Sequence, residues 1–170
     1  DGGDVTYLLD YNDGTQLYTP RWSPDGDQLV LSMARGVKRD IITLSVKPLG
    51  DGQLTTLGGV LAAWVQPQLV VSSVGADRDP VWSRDGSEIF FVSDVTGIFN
   101  VYAIDVASQE VEQVTNVVGG AFFPTVNGAG DVVFSSYETD GFHLRRIARE
   151  QAVPVHQASF FRSGSQSVLA

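Results

Sequence analysis

The residues that could do chemistry in this chain are few, and their spacing argues against most reactions. A serine hydrolase needs its nucleophile on a sharp strand-to-helix turn, written G-x-S-x-G, with a His and an acid brought near it. The nearest match, Gly164-Ser165-Gln166-Ser167, lacks the final Gly and any following helical pattern. Only His143 and His156 could serve as a base; the first falls in an expected strand and the second near a strand end, where a solvated or hydrogen-bonded role is the simpler reading. Two isolated His and no Cys form no zinc or iron ligand cluster. Gly58-Gly59 and Gly119-Gly120 are not followed by the Lys-Ser/Thr of a phosphate-cradling loop, and no G-x-G-x-x-G opens a helix. The sequence therefore assigns no catalytic, cofactor-binding or metal residue, and no cofactor is expected.

Carboxylates are more numerous. Asp77 and Asp79 flank Arg78, while Asp10, Asp13, Asp94, Asp105, Glu110 and Glu112 fall near expected strand ends or loops. Glycosidases need two such groups a sugar's width apart, and the spacing places no two of these across a cleft. The turns also differ from the Ser-x-Asp-x-Gly-x-x-Trp box of sialidase-type propellers, because here the Trp precedes the Ser.

The chain has 170 residues, 43% of them hydrophobic, enough for one folded unit with a real core. Seven Pro and 18 Gly, with no long helical pattern, favour short strands joined by many turns. A net charge of −9 and a pI near 4.4 exclude nucleic acid as a partner, since phosphate binding needs clustered Lys and Arg. The basic groups Arg35-Lys38-Arg39 and Arg145-Arg146-Arg149 read as solvated strand or loop positions. No run reaches the roughly 18 apolar residues of a membrane span. A start at Asp1 without an initiator Met fits a processed or excised piece of something longer.

Two near-identical heptapeptides reveal what positions these side chains: Pro20-Arg21-Trp22-Ser23-Pro24-Asp25-Gly26 and Pro80-Val81-Trp82-Ser83-Arg84-Asp85-Gly86. Each precedes a β-rich run, Leu29-Val30-Leu31-Ser32 or Ile89-Phe90-Phe91-Val92-Ser93. Further on, Asp40-Ile41-Ile42-Thr43-Leu44-Ser45 answers Asn100-Val101-Tyr102-Ala103-Ile104-Asp105, and Gln53-Leu54-Thr55 answers Gln113-Val114-Thr115. A weaker third copy runs through Phe123-Pro124-Thr125-Val126-Asn127-Gly128-Ala129-Gly130, Val132-Val133-Phe134-Ser135, Phe142 to Ile147, and Val153-Pro154-Val155. The Pro residues lie 60 and then 44 positions apart. A unit of four short strands recurring at about forty residues is a β-propeller blade.

Ser, Pro and Gly at the first, second and fourth places of the turn suit a tight type I hairpin between the first two strands. Asp-Gly at these turns reads as turn chemistry before calcium ligation. Trp22 and Trp82 are expected to pack between neighbouring sheets. At the ends, residues 4–19 resemble the second half of a blade and 160–169 the first half, so the termini are expected to complete one composite sheet; the alternative is a fragment cut from a larger ring. The expected class is all-β, a propeller or partial propeller of about three four-stranded blades plus the composite one. Its divisions are a half blade at 1–19, a blade at 20–57 with an insertion at 58–76, blades at 77–116 and 117–157, and a half blade at 158–170.

The insertion accounts for the 16 extra residues of the first interval. It is apolar and carries Trp64, unlike a short polar loop between blades. Either Val60, Leu61, Val65, Leu69, Val70 and Val71 form an extra hairpin about Gln66-Pro67-Gln68 that packs on its own molecule, or the hairpin projects and buries Trp64 in a partner. Leu61, Trp64, Val65, Leu69 and Val70 are the candidate protein-binding residues.

The P-x-W-S-P-D-G turn, the hydrophobic strand after it and the strand ending in Asp before a Leu-Thr resemble the repeats of TolB-like, WD-like propellers. The match is close over 18–55 and 78–116 and looser over 120–155. Such blades occur in periplasmic partner-binding proteins, beside the hydrolase domain of prolyl-oligopeptidase-like enzymes, and in envelope scaffolds. The resemblance implies a non-catalytic protein-protein interaction scaffold in a bacterial envelope or membrane-associated complex, extracytoplasmic, with a protein or membrane-embedded complex as partner. The alternative is the propeller portion of a prolyl-oligopeptidase-like or carbohydrate-active enzyme whose catalytic residues lie outside this chain.

Overall fold

The repeated turns close through their side chains. Ser23 Oγ donates to Asp25 Oδ1 at 2.6 Å and accepts the Gln28 N–H at 2.9 Å; Ser83 does the same with Asp85 at 2.7 Å and Glu88 at 2.9 Å. Gly26 and Gly86 both sit at φ +75°, the left-handed region that Gly enters without steric cost. In the third copy Asn127 replaces Ser, its Oδ1 accepting the N–H groups of Ala129 and Asp131. That hairpin is one residue shorter: the Ser83 N–H bonds the Glu88 carbonyl, whereas the Asn127 N–H bonds the carbonyl of Asp131.

The computed structural model describes residues 8–46 and 67–151, together with the backbone of three two-residue strands outside those ranges. In chain order the strands are β1 (Gln16–Trp22), β2 (Gln28–Arg35), β3 (Lys38–Ser45), β4 (Thr56–Leu57), β5 (Val60–Leu61), β6 (Gln68–Ser73), β7 (Arg78–Trp82), β8 (Glu88–Ser93), β9 (Asn100–Asp105), β10 (Val111–Gln113), β11 (Ala121–Val126), β12 (Val132–Glu138), β13 (Gly141–Ile147) and β14 (Phe161–Arg162). They form three successive antiparallel sheets, β1-β2-β3-β6-β14, β7-β8-β9-β10 and β11-β12-β13, and a separate two-stranded ribbon, β4-β5. The first strands β1, β7 and β11 lie side by side along one edge of the stack, as the inner strands of propeller blades do.

The blades differ in detail from the spacing pattern. Gln16–Thr19, expected in a preceding half blade, is continuous with the Trp22 strand β1 and pairs with β2. The strand beside β3 is β6, with Ile42 opposite Leu69; the expected neighbour, Gln53-Leu54-Thr55, lies outside the described residues. At the C-terminal end β14 pairs with β6; of the N-terminal residues expected in the composite sheet, 4–7 lie outside the described range and Gln16–Thr19 belong to β1 of the first sheet.

Burial follows the two faces of each sheet. Val30, Ile41, Val70 and Val71 of the first sheet meet Trp82, Ile89, Phe91, Tyr102 and Ile104 of the second. The other face of the second, Phe90, Val92, Val101 and Ala103, meets Val132 and Phe134 of the third. On the far face of the first sheet, Leu29, Leu31, Met33, Ile42 and Leu44 are covered in part by Leu9, Tyr11 and Val46. Trp82 fills the first joint as expected, only 8% exposed, but the expectation for Trp22 is corrected: it is 60% exposed. The register explains why. Trp22 lies opposite Leu29 on the far face of the first sheet, where no described sheet precedes it.

One feature repeats in all three first strands. Thr19, Asp79 and Phe123 adopt φ of +50°, +51° and +52°, each just before a proline, and the pairing register shifts there. A residue before proline favours extended backbone, and a β-branched Thr at positive φ is strained. The strain is held by a β-bulge at the same height in every sheet.

Candidate interaction surfaces

The apolar insertion divides between a ribbon and a sheet. Leu61 lies in β5 of the separate ribbon, and Trp64 and Val65 lie outside the described residues. Leu69 and Val70 belong to β6: Val70 is buried in the first joint, and Leu69 is half-buried against the Leu29–Leu44 cluster. Both side chains thus pack against their own molecule, while Trp64, on which the two sequence readings divide, lies outside the described residues. Their strand borders a cleft of about 330 Å³ between the first two sheets, shared with Gln28, Thr43 and Trp82.

A second feature stands where the bulges converge. Thr19, Asp79 and Phe123 line a cavity of about 150 Å³ with Arg21, Pro80, Pro124 and Thr125. Charged groups crowd beside it: Arg78 Nε lies 3.4 Å from Asp79 Oδ2, and the Arg39 guanidinium stacks 4.2 Å from the Tyr18 ring centre. Partial burial, and then the nearby Arg78 cation, hold Arg39 below its usual basicity. Asp77 is fully buried and accepts both the backbone N–H and the hydroxyl of Ser73 at 2.8 Å. Burial dominates those bonds and pushes its carboxyl up to about 6.

Three of the remaining carboxylates accept backbone N–H groups. Asp105 accepts the Ala107 and Ser108 N–H groups, Asp94 that of Ala76, and Asp13 that of Thr15. Arg145 and Arg146 are exposed strand residues, as expected, and are ion-paired: Arg145 grips both oxygens of Glu138 at 2.8 Å and Arg146 bonds Asp131, while the less exposed Arg149 spans Glu88 and Glu112. His143 is hydrogen-bonded to Asp140 at 2.9 Å. Glu138, Asp140 and His143 lie close enough together to hold a cation, but Arg145 already takes the Glu138 oxygens and Asp140 and His143 bond each other. His156 and Ser165 lie outside the described residues.

Sequence reasoning passed over the outer face of the third sheet. Phe99, Phe122, Phe142 and Tyr137 form a chain of ring contacts with centres 5.1–6.2 Å apart. Phe142 is 65% exposed and Leu144 79%. The signal was present as alternation along Tyr137, Phe142 and Leu144, but it looks like any half-buried strand. Next to this sheet a groove of about 870 Å³ runs between the 116–119 connection and β13. Among the described residues no helix is long and apolar enough to cross a membrane.

No family profile matches the chain. It is 29% identical over 150 residues to the uncharacterized protein Atu1656 of Agrobacterium fabrum, covering 83% of this chain and 46% of that protein. A solved structure from Agrobacterium tumefaciens, described as TolB, superposes with a TM-score of 0.63 at 23% identity, covering 89% of this chain and 52% of the other. A Mycobacterium tuberculosis puromycin-hydrolyzing peptidase gives a TM-score of 0.57 at 15% identity over 83% of this chain and 22% of the peptidase. The fold is that of a TolB-like β-propeller, and the chain spans about half the length of the first two of these proteins.

Proposed function

We propose that this stack of propeller sheets is a non-catalytic protein-protein interaction scaffold, a module of a bacterial envelope or membrane-associated complex working in the periplasm. The observation that carries the reading is the anchoring of the apolar insertion. β6 fixes its C-terminal end in the first sheet through Val70, while Leu61 belongs to a ribbon that, among the described residues, pairs with none of the three sheets. A segment whose C-terminal end is fixed in a sheet and whose sequence before that end is apolar suits a docking element, because the fixed end holds its position before a partner arrives. Leu61, Trp64 and Val65 are the proposed contact, and Leu69 and Val70 its support.

The likeness to a TolB structure agrees with this reading in fold. The likeness to a puromycin-hydrolyzing peptidase favours a second one, in which the sheets are the propeller portion of a hydrolase whose catalytic residues lie elsewhere. A G-x-S-x-G with its His and acid in the same reading frame would establish the second. The scaffold reading is tested by replacing Leu61 and Trp64 with Ser and measuring recovery of the envelope partner that co-purifies with the unaltered chain. Loss of the partner with the circular dichroism spectrum unchanged is expected; full recovery removes the proposed contact.

A further inference from the structure

Two arginines are brought together where the first sheet meets the second. The Asp77 N–H donates to the Arg39 carbonyl at 2.9 Å and Arg39 bridges Ala76, so the start of β3 holds the start of β7, with Arg78, beside it. Each guanidinium lies over an aromatic ring, Arg39 at 4.2 Å from the Tyr18 centre and Arg78 at 5.5 Å from that of Phe99. Both residues are half-buried, yet among the described residues the Nε of each is buried without a hydrogen-bond partner. Asp79 forms an ion pair with Arg78 at 3.4 Å, and its charge also favours the Arg39 cation, but its Oδ2 makes no hydrogen bond either. Asp40, the next residue of β3, is paired with Lys38. Two cations set against one anion leave a positive charge over, in a chain whose net charge is −9. A buried N–H without an acceptor is costly to keep, which makes such a pair a place prepared for an acceptor from outside.

We propose that Arg39 and Arg78 together bind a carboxylate that carries an apolar group. A guanidinium edge matches the planar fork of a carboxylate, and a second cation beside the first strengthens the preference for an anion. A singly charged anion suits the site better than phosphate, because the net charge of the chain opposes a second negative charge. The apolar part has a surface to lie on. Phe99, beneath Arg78, touches Phe122 with ring centres 5.3 Å apart, and Phe122 in turn touches Phe123 at 6.4 Å, which is 61% exposed. Rings adjoining a guanidinium offer one ligand both contacts.

The test is a titration of the purified, isotope-labelled chain with N-acetylphenylalanine at low salt, followed by NMR through the arginine Nε–Hε signals. Those of Arg39 and Arg78 should move together and saturate, while that of Arg145, already held by Glu138, stays in place. N-acetylphenylalanine amide, which has the same ring and no charge, should leave both unmoved. Arg39→Gln and Arg78→Gln should each weaken binding by about tenfold or more, the loss expected for a hydrogen bond to a charged group. Should Arg39→Gln lose its β-sheet circular dichroism, Arg39→Lys replaces it and should bind as weakly, since it keeps the charge and removes the Nε edge. Signals that do not move at millimolar ligand overturn the proposal, as does an equal response to the amide or a pair of variants that bind like the unaltered chain. Inorganic phosphate bound as tightly as the carboxylate would mean a general anion site and overturns the assignment of the ligand. None of Leu61, Trp64 and Val65 takes part, so the outcome is independent of the proposed docking element.

Discussion

Arg149 joins the second and third sheets: its guanidinium lies 2.5 Å from Glu88 and 2.7 Å from Glu112, and 5.9 Å from the Phe90 ring centre. Both acids come from the second sheet, at the start of β8 and within β10, and the arginine follows β13. One cation thus offsets two anions that would otherwise repel across the sheet.

Replacing Arg149 with Met keeps much of the apolar stem and removes the charge. The expected cost is about 1 kcal/mol, which for a chain of this size lowers Tm by about 2–4 °C. Because the three groups are partly exposed, the difference should shrink in high salt. Thermal melts of both proteins at low and high ionic strength measure it; equal melting points at low salt would refute the cross-link.

Asp77 gives a pH dependence of opposite sign to that of a paired surface carboxylate. Its folded value is raised from 3.8 to about 6, so between those limits the folded chain holds a proton that the unfolded chain has released. The associated stability is fully present below pH 3.8 and is lost as pH rises through 6, a difference on the order of 3 kcal/mol. Asp77→Asn keeps an acceptor for the Ser73 N–H and cannot ionise. Urea titrations across this range should show the Asn variant gaining on the original as pH rises; parallel curves would show that the carboxyl is not desolvated as described.

The repeated turn hydroxyl is testable at either copy. Ser83→Ala removes the donor to Asp85 and the acceptor for the Glu88 N–H in a largely buried turn, which should cost about 1–2 kcal/mol in denaturant unfolding. The Asp85 carboxyl, held down at about 2 chiefly by the Ser83 hydroxyl, should titrate higher in the variant. Carbon NMR of the Asp side chains reads that movement, and an unmoved Asp85 would remove the hydroxyl as its cause.

Gly119 has a different constraint from the turn glycines. A Cβ there would sit 1.9 Å from the Tyr137 carbonyl oxygen, so Gly119→Ala must push β11 away from β12 near the Ala121–Ser136 pair. About 2–3 kcal/mol is expected, against about 1 kcal/mol for Gly86→Ala, where only the positive φ is offended. Equal losses in the two variants would contradict the close approach.

The turns and the strands beside them were legible because their signals are local: Ser-x-Asp-Gly specifies the hairpin, and the continuous apolar runs of β8 and β9 mark strands covered on both faces. The strand beside β3 was not. Gln53-Leu54-Thr55 mimics Gln113-Val114-Thr115, but pairing depends on what lies next to the edge in space, and β6 arrives there from beyond the insertion. Trp22 and Trp82 have the same local sequence, and only the presence of a sheet in front of one of them separates their burial. The bulges at Thr19, Asp79 and Phe123 break the usual preference before proline, so propensity pointed away from them. Of the contact residues chosen from sequence, Leu69 and Val70 could not be told from core, since apolarity alone does not say which side of a strand is covered.

The second sheet is assembled wholly from residues 78–113, each strand lying against its predecessor in the chain. Synthesis from the N-terminus would therefore deliver it as a unit that zips up from neighbouring hairpins, without waiting for distant sequence. Until the third sheet follows, Phe90 and Val92 would form a greasy flank open to water or to a chaperone, and the delay before 121–147 folds would set how long that exposure lasts.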